Sequence, residues 1–495
     1  MKLNAKSDSQ ERIVGPDDVR VGKDVIEILT SGMYVSPLSI YREYVQNAAD
    51  SIDQSRGAGD LGAGRVSVSI DHGARSVAIR DDGVGIPAEK VPDVLLAVGG
   101  SRKRGTSARG FRGVGRLSGL AYCRQIEFIT KAKGANRVAR VVWDCRKLKE
   151  LVASNVGADD LRMVMAGAVS ITTESAAATD PSFFEVRISD IARLRSDLLL
   201  NEHLIGEYLG QVAPVRFSSD FSFGAEIDAE LKKRQKLSRL DLSVNGRTIT
   251  RPHRDELLAD SADKSSRIKE IEFFELADVD GDIGAIGWLA HHDYVRSLPA
   301  NLGVRGLRAR VGDLQVGESN LFEDSYKETR FNSWTIGEIH MLDRRIVPNA
   351  RRDNFEANHH YSNVLVQVGP VAAKISQRCR QASISRTALQ VVENLTRHIE
   401  DRLKQQKPRI ERAELSKLKA AAVRATAKAG KIEDEQDRKR SLTRLAKVQK
   451  KLSALTPRRG PATVAVSEVA TLIAKFVTNR EQREKLVMEI KRLVD

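Results

Sequence analysis

Cysteine is scarce in this chain: Cys123, Cys145 and Cys379 are the only three in 495 residues, and no two form a CxxC pair. That excludes a disulfide framework and a cysteine zinc site, and it fits a reducing, cytoplasmic setting. No stretch approaches the roughly 18 apolar residues of a membrane span. The opening MKLNAKSDSQERIVG lacks the apolar core of a secretory signal. The expectation is therefore a soluble protein with no membrane partner. There is no GxSxG and no P-loop GxxxxGK[ST], and the pairs His291-His292 and His359-His360 lack further ligands at metal spacing. Internal repeats and long low-complexity tracts are missing too.

Charge is plentiful but uneven. Of a net +15, residues 386–495 hold +13, with 27 Lys/Arg against 14 Asp/Glu. A localised basic segment points to an acidic partner, nucleic acid first. Few aromatics accompany that charge, so base stacking is not expected, and any nucleic-acid contact would be nonspecific and to backbone phosphate. Glycine and proline also thin out after 386. Leu389, Val392, Thr396, Ile399 and Leu403 step by 3 and 4, the spacing of a coiled-coil seam. Leu442, Leu445, Gln449, Leu452 and Leu455 take similar steps. Such a seam pairs helices within one chain or between two.

The first three-quarters reads as mixed α and β. Two helices are expected over 21–56, then a hairpin from RVSVSI (65–70) and SVAIRD (76–81). VPDVLLAVGG (91–100) and RLSGLAYC (116–123) read as helices, QIEFIT, RVARVVW and FFEVRIS as strands, and DLLLNEHLIGEYLGQVA as a helix. From about 219 a second α/β region begins, with strands at LDLSVNG, EIEFFELA, GDIGAIGWLA, GLRARVGDLQVG and TIGEIHML.

Three motifs carry chemistry. In EYVQNAADSID (43–53), Glu43, Asn47 and Asp50 fall within roughly 60° of one another on a helix. Val45, Ala48, Ala49 and Ile52 form a small apolar stripe opposite, suited to a sheet. In IRDDGVGIP (79–87), Asp81 closes a strand, where a carboxylate can accept a hydrogen bond from an exocyclic amine. Gly83 and Gly85 allow a flat base close to the backbone. GFRGVG (110–115) leads into a helix, the usual arrangement for holding phosphates.

The order ExxxNxxD, DxGxG, GxxGxG resembles the GHKL ATPase superfamily of DNA gyrase, heat-shock chaperones, histidine kinases and MutL. The likeness to the ninety-kilodalton heat-shock chaperones extends further. DVIEILTSGMYVSPLSIYREYVQNAADSID resembles their first helix pair, and GGSRK, with Ser101, the start of their lid. EYLGQVAPVRF resembles the exit from their ATPase domain and RIVPNARRDNFE a loop of their middle domain. The resemblance implies an α+β fold with a Bergerat α/β sandwich over 1–218 and an α/β transducer or middle domain over 219–385; charge and periodicity add a basic helical region over 386–495, which does not resemble the chaperones' dimerisation domain.

It also implies ATP and Mg²⁺ as ligands. Glu43 matches the general base that polarises water, and Asn47 the magnesium ligand. Asp81 matches the reader of the adenine amine with Gly83 and Gly85 beside it, and Asp50 a position near the nucleotide. Gly110, Gly113, Val114 and Gly115 match backbone donors to the phosphates. Arg352 matches the middle-domain arginine that contacts the γ-phosphate, with Arg351 next to it. The family's late Gly-Thr is missing, and Ser182 or Thr172 stands in the region where it is expected. Arg116 follows the last glycine where relatives carry an apolar residue. The resulting expectation is an ATP-gated homodimeric clamp on a protein client. The alternative is a MutL- or MORC-like clamp on DNA through the basic tail. A histidine kinase fits less well, because a second α/β domain follows the ATP motifs.

Overall fold

The computed structural model describes residues 21–26, 36–56, 64–99, 115–154, 160–193, 197–257, 266–405, 409–458 and 466–494. They group into two compact units that divide between residues 377 and 378.

The alternating RVSVSI forms β1 (Gly64–Asp71), burying Val66, Val68 and Ile70 on one face. β2 (Ser76–Asp81) returns antiparallel and places Val66 opposite Asp81. With β3 (Gln125–Lys131), β4 (Arg137–Asp144), β5 (Val169–Ser175), β6 (Phe183–Ser189), β7 (Leu240–Val244) and β8 (Arg247–Thr248), they make a sheet ordered β5-β4-β3-β6-β2-β1-β7-β8. Its helices are α1 (Ser39–Arg56), α2 (Val91–Leu95), α3 (Cys145–Ala153), α4 (Leu161–Ala168) and α5 (Glu202–Val212). The apolar stripe of α1, Val45, Ala48, Ala49 and Ile52, is buried in the same core as Val66, Ile79, Phe128 and Val186 of the sheet. Small residues at 48 and 49 let helix and sheet approach closely.

Three expectations need correction. LDLSV, read as opening the second α/β region, is β7, which lies parallel to β1 in the first sheet. The strand buries Leu240, Leu242 and Val244 in the first core, and that burial decides its place. VPDVLLAVGG yields only the five-residue α2, ahead of Gly99 at φ +71°. RLSGLAYC forms a tight 3₁₀ segment, Gly115–Ala121, packed so closely that a Cβ on Gly115 or Gly119 would strike Glu43 or Tyr44. Of the first expected helix, residues 27–34 lie outside the described residues.

The second sheet belongs to the same unit. It contains β9 (Glu270–Ala277), β10 (Ile283–His291), β11 (Gly306–Val311), β12 (Leu314–Val316) and β13 (Ile336–Met341), ordered β9-β10-β13-β11-β12. β11 and β13 are parallel and the other pairs antiparallel. α6 (Gly224–Lys232) adds Ile227 and Leu231 to a core with Phe221, Ile286 and Trp288. A buried ionic network joins this sheet to the end of α5. Glu338 accepts from Arg251 at 2.7 Å and Arg310 at 2.6 Å, and Asp313 from Arg251 at 2.5 Å. Arg251 also donates to the Val215 carbonyl, and Arg310 to that of Gln211 at 2.9 Å. Burial alone would raise the Glu338 pKa, but Arg251 and Arg310 hold it well below the usual carboxylate range.

The second unit is helical. It takes the later part of α7 (His359–Gln405), then α8 (Arg412–Ala429), α9 (Glu435–Ala454), α10 (Val466–Phe476) and α11 (Arg480–Val494). Val392 and Ile399 of α7 pack with Leu415, Leu418, Ala422 and Ala425 of α8 and Leu445, Val448 and Leu452 of α9. The first expected seam is therefore filled within one chain. The second is rotated from its expected position: Ser441, Leu445, Val448 and Leu452 are buried, whereas Leu442 is 39% exposed. No described helix is long and apolar enough to cross a membrane.

Candidate active site

The polar face of α1 is not solvated. Glu43 and Asp50 are buried and Asn47 is half-buried, so the helix is enclosed on both sides. Gln46 on the same side is 1% exposed, and neither atom of its amide has a hydrogen-bond partner among the described residues. A buried orphan amide is costly, so this part of the helix suits a polar guest. Sequence reasoning passed over Gln46, although it lies only one turn from Glu43.

Glu43 is gripped from several directions. Arg352 Nε stands 3.0 Å from Glu43 Oε1, and Arg42 Nε stands 3.7 Å from the same oxygen. Gly115 is so close that a Cβ would lie 2.3 Å from Oε2. Arg42 also donates to the Arg351 carbonyl at 3.0 Å. Arg352 reaches across some 300 residues of sequence because its loop is built to present it. Asn349 bonds Asp353 and Asn354, Pro348 pairs with Phe355, and the Arg352 backbone sits at φ +56°. A non-glycine residue in that region is strained by roughly 1 kcal/mol, and the loop and the Gly317 N–H on the Arg352 carbonyl hold it there. Arg351 is exposed, so of the two arginines it is Arg352 that faces Glu43.

Asp81 ends β2 and is 4% exposed. Its Oδ1 accepts from Gly83 N at 2.9 Å. Burial pushes its pKa up to about 7, against the opposing pull of Gly83 N–H and the Ser51 hydroxyl. A Cβ on Gly83 would strike Ser51 Oγ at 2.1 Å, so glycine is needed here for close approach. Gly85, at φ +63°, faces the Lys131 carbonyl, which sets its need for glycine within the chain itself. Thr130 braces this turn, accepting from Ile86 N at 2.8 Å and donating to the Phe183 carbonyl. Ser51 and Thr130 are hydroxyls that motif reading missed. Ser51 lies eight residues after Glu43, and its alignment with Asp81 is visible only in three dimensions.

The remaining sites divide. Ser182 is half-buried, two residues before Phe184, which pairs with Asp81 in the sheet. Thr172 is exposed on β5 at the far edge, three strands removed from β2, and cannot serve. Arg116 is an anchor: it donates to the carbonyls of Leu95, the last residue of α2, at 3.1 Å and of Ala97 just beyond it. Ser101, Gly110, Gly113 and Val114 lie outside the described residues.

Comparison with known proteins bears on the same region. Residues 39–165 match the family model described as histidine kinase-, DNA gyrase B- and HSP90-like ATPase. The chaperone protein HtpG of Pectobacterium atrosepticum is 26% identical over 161 residues, covering 28% of this chain and 25% of HtpG. HtpG of Cronobacter sakazakii is 24% identical over the same length and coverage. The chain thus spans about a quarter of the length of these relatives. The family match takes in Glu43, Asn47, Asp81 and Gly115 but not Arg352. The segment 39–165 is a domain of the histidine kinase-, DNA gyrase B- and HSP90-like (GHKL) ATPases, close to the HSP90 class.

Proposed function

We propose that this protein is a Mg²⁺-dependent ATPase whose site is completed by Arg352 of the second α/β region. The observation that carries the reading is the Arg352–Glu43 pair at 3.0 Å, at the centre of an enclosed polar face. The buried residues fit a nucleotide: Asp81 offers an enclosed carboxylate, and the Gln46 amide has no hydrogen-bond partner among the described residues. In this reading Asp81 accepts from the adenine amine, Gly83 and Gly85 flank the base, and Asn47 holds the metal. Asp50 and Ser182 border the nucleotide, while Gly110, Gly113, Val114 and Gly115 give backbone N–H groups to its phosphates. The metal, when bound, supplies charge neutralisation on the phosphate oxygens.

Glu43 takes the proton of the attacking water, and Arg352 and Arg42 hold its carboxylate in place. Arg352, a planar always-charged fork, binds γ-phosphate oxygens once nucleotide is present. Working as a homodimeric clamp that closes on ATP around a protein client extends the proposal. That extension is supported by the likeness to HtpG chaperones and by no contact within this chain.

Glu43→Ala is expected to keep ATP binding while turnover falls at least about a hundredfold. Arg352→Ala should slow turnover with little change in affinity, as for a contact made in the transition state. Calorimetry with a phosphate-release assay reads both, and wild-type turnover by Glu43→Ala would refute the assignment.

A further inference from the structure

α9 carries a cationic stripe that the fold leaves facing outward. Its buried residues, Ser441, Leu445, Val448 and Leu452, occupy one side. Lys439, Arg440, Lys447, Lys450 and Lys451 project from the opposite side, all exposed and none within 4 Å of a carboxylate among the described residues. Arg444, at the margin, is neutralised by a bidentate pair with Glu400. The sequence around the stripe is one-signed: residues 438–467 hold nine Lys/Arg and no Asp/Glu. Gln436, Lys439, Arg440, Thr443, Arg444 and Lys447 line a shallow recess of about 480 Å³ along this face. Glu435 and Asp437 lie in the first turn of α9, and Glu400 attracts Lys451 as well as Arg444, but the grouped cations still repel one another and the fold gains little from the grouping.

We propose that the α9 stripe is a docking surface for duplex DNA, held through backbone phosphates. From Lys439 to Lys451 the stripe runs about 18 Å at 1.5 Å per residue, or roughly five base steps of B-form DNA. Phe476 is the only aromatic residue after 385, so there is no stacking platform for unpaired bases. A helix enters the major groove of B-DNA but not the deep, narrow one of A-form RNA, which selects DNA over RNA duplexes. The second unit's internal core strengthens the case. The seam that offered an alternative use for these helices, pairing with another chain, is already filled. The proposal does not depend on the ATPase reading.

The test is fluorescence anisotropy of the full chain on two unrelated 20-base-pair DNA duplexes. Each neutralised phosphate adds about 0.9 to the slope of log affinity against log salt, so five contacts predict a slope near 4–5 and a loss of about 500-fold between about 50 and 200 mM salt. Replacing Lys439, Arg440, Lys447, Lys450 and Lys451 by Gln should abolish binding, with the helical circular dichroism melt and ATP turnover unchanged. Replacing exposed Lys417, Arg424 and Lys428 of α8 by Gln should leave most of it. Undiminished affinity in the α9 variant would overturn the proposal. So would equal binding to an RNA duplex or to heparin, or tighter binding to single strands.

Discussion

Asp81 shows most sharply what one residue's surroundings do. Its carboxyl ends a strand, is almost fully enclosed, and ionises near pH 7 because burial outweighs two hydrogen bonds. The folded value lies above the unfolded one, so the folded state holds this proton more tightly. Its stability contribution is therefore present at about pH 4 and lost as pH rises through 7, by up to about 4 kcal/mol. An ionised carboxylate is a stronger acceptor for an amine than a carboxylic acid, so in the proposed role ATP affinity rises over the same interval while stability falls. Calorimetric titrations from pH 6 to 8 on wild type and Asp81→Asn test this. The wild type should gain affinity more steeply than the variant, and parallel profiles would refute it. His253 has the opposite sign: enclosed by Phe217, Phe221 and Trp288, its pKa falls to about 3, so its contribution is lost as pH drops below 6.5.

Among the elements, what the sequence disclosed followed from periodicity and turn chemistry. The β1–β2 hairpin, the strands of the second sheet and the buried stripe of α1 were all legible, because alternation and 3.6-residue spacing report local burial. The partner of β1 was not, since nothing local says that LDLSV crosses back over 169 positions to lie beside it. Neither was the meeting of Arg352 with Glu43 derivable from spacing; only the likeness of NARRDNFE to a known loop placed it. The α9 seam was half legible: Leu445 and Leu452 are buried as the spacing suggested, while Ser441 and Val448 take the places expected for Leu442 and Gln449.

The ionic joint between α5, β11 and β13 escapes pattern reading as well, as buried charges resemble surface ones in a sequence. Glu338→Gln would leave Arg251 and Arg310 enclosed without their shared anion, a loss of about 3–5 kcal/mol. Thermal unfolding should show it in the first unit, with the helical unit unaffected. A melting temperature within about 1 °C of wild type would show the joint to be dispensable.

For the whole molecule, the boundary that the motifs suggested at 218/219 cuts a sheet. A truncation ending at 218 keeps every motif residue of 39–165 but strips β7 and β8 from the edge of β1, leaving a bare, apolar-backed strand. Such a fragment is expected to aggregate, whereas one ending at 377 stays monodisperse, as size-exclusion chromatography at matched concentration would reveal. A soluble, nucleotide-binding 1–218 fragment would show that β7 adds little. The same pairing imposes a delay on the ribosome. Between the emergence of Asp71 and of Leu240 the cell synthesises roughly 170 residues, which at 5–20 residues per second leaves the edge of β1 waiting for roughly 10–30 s. The nascent chain therefore spends that interval as a template for stray strands, and slowing synthesis between 72 and 240 should lower its yield more than slowing it after 249.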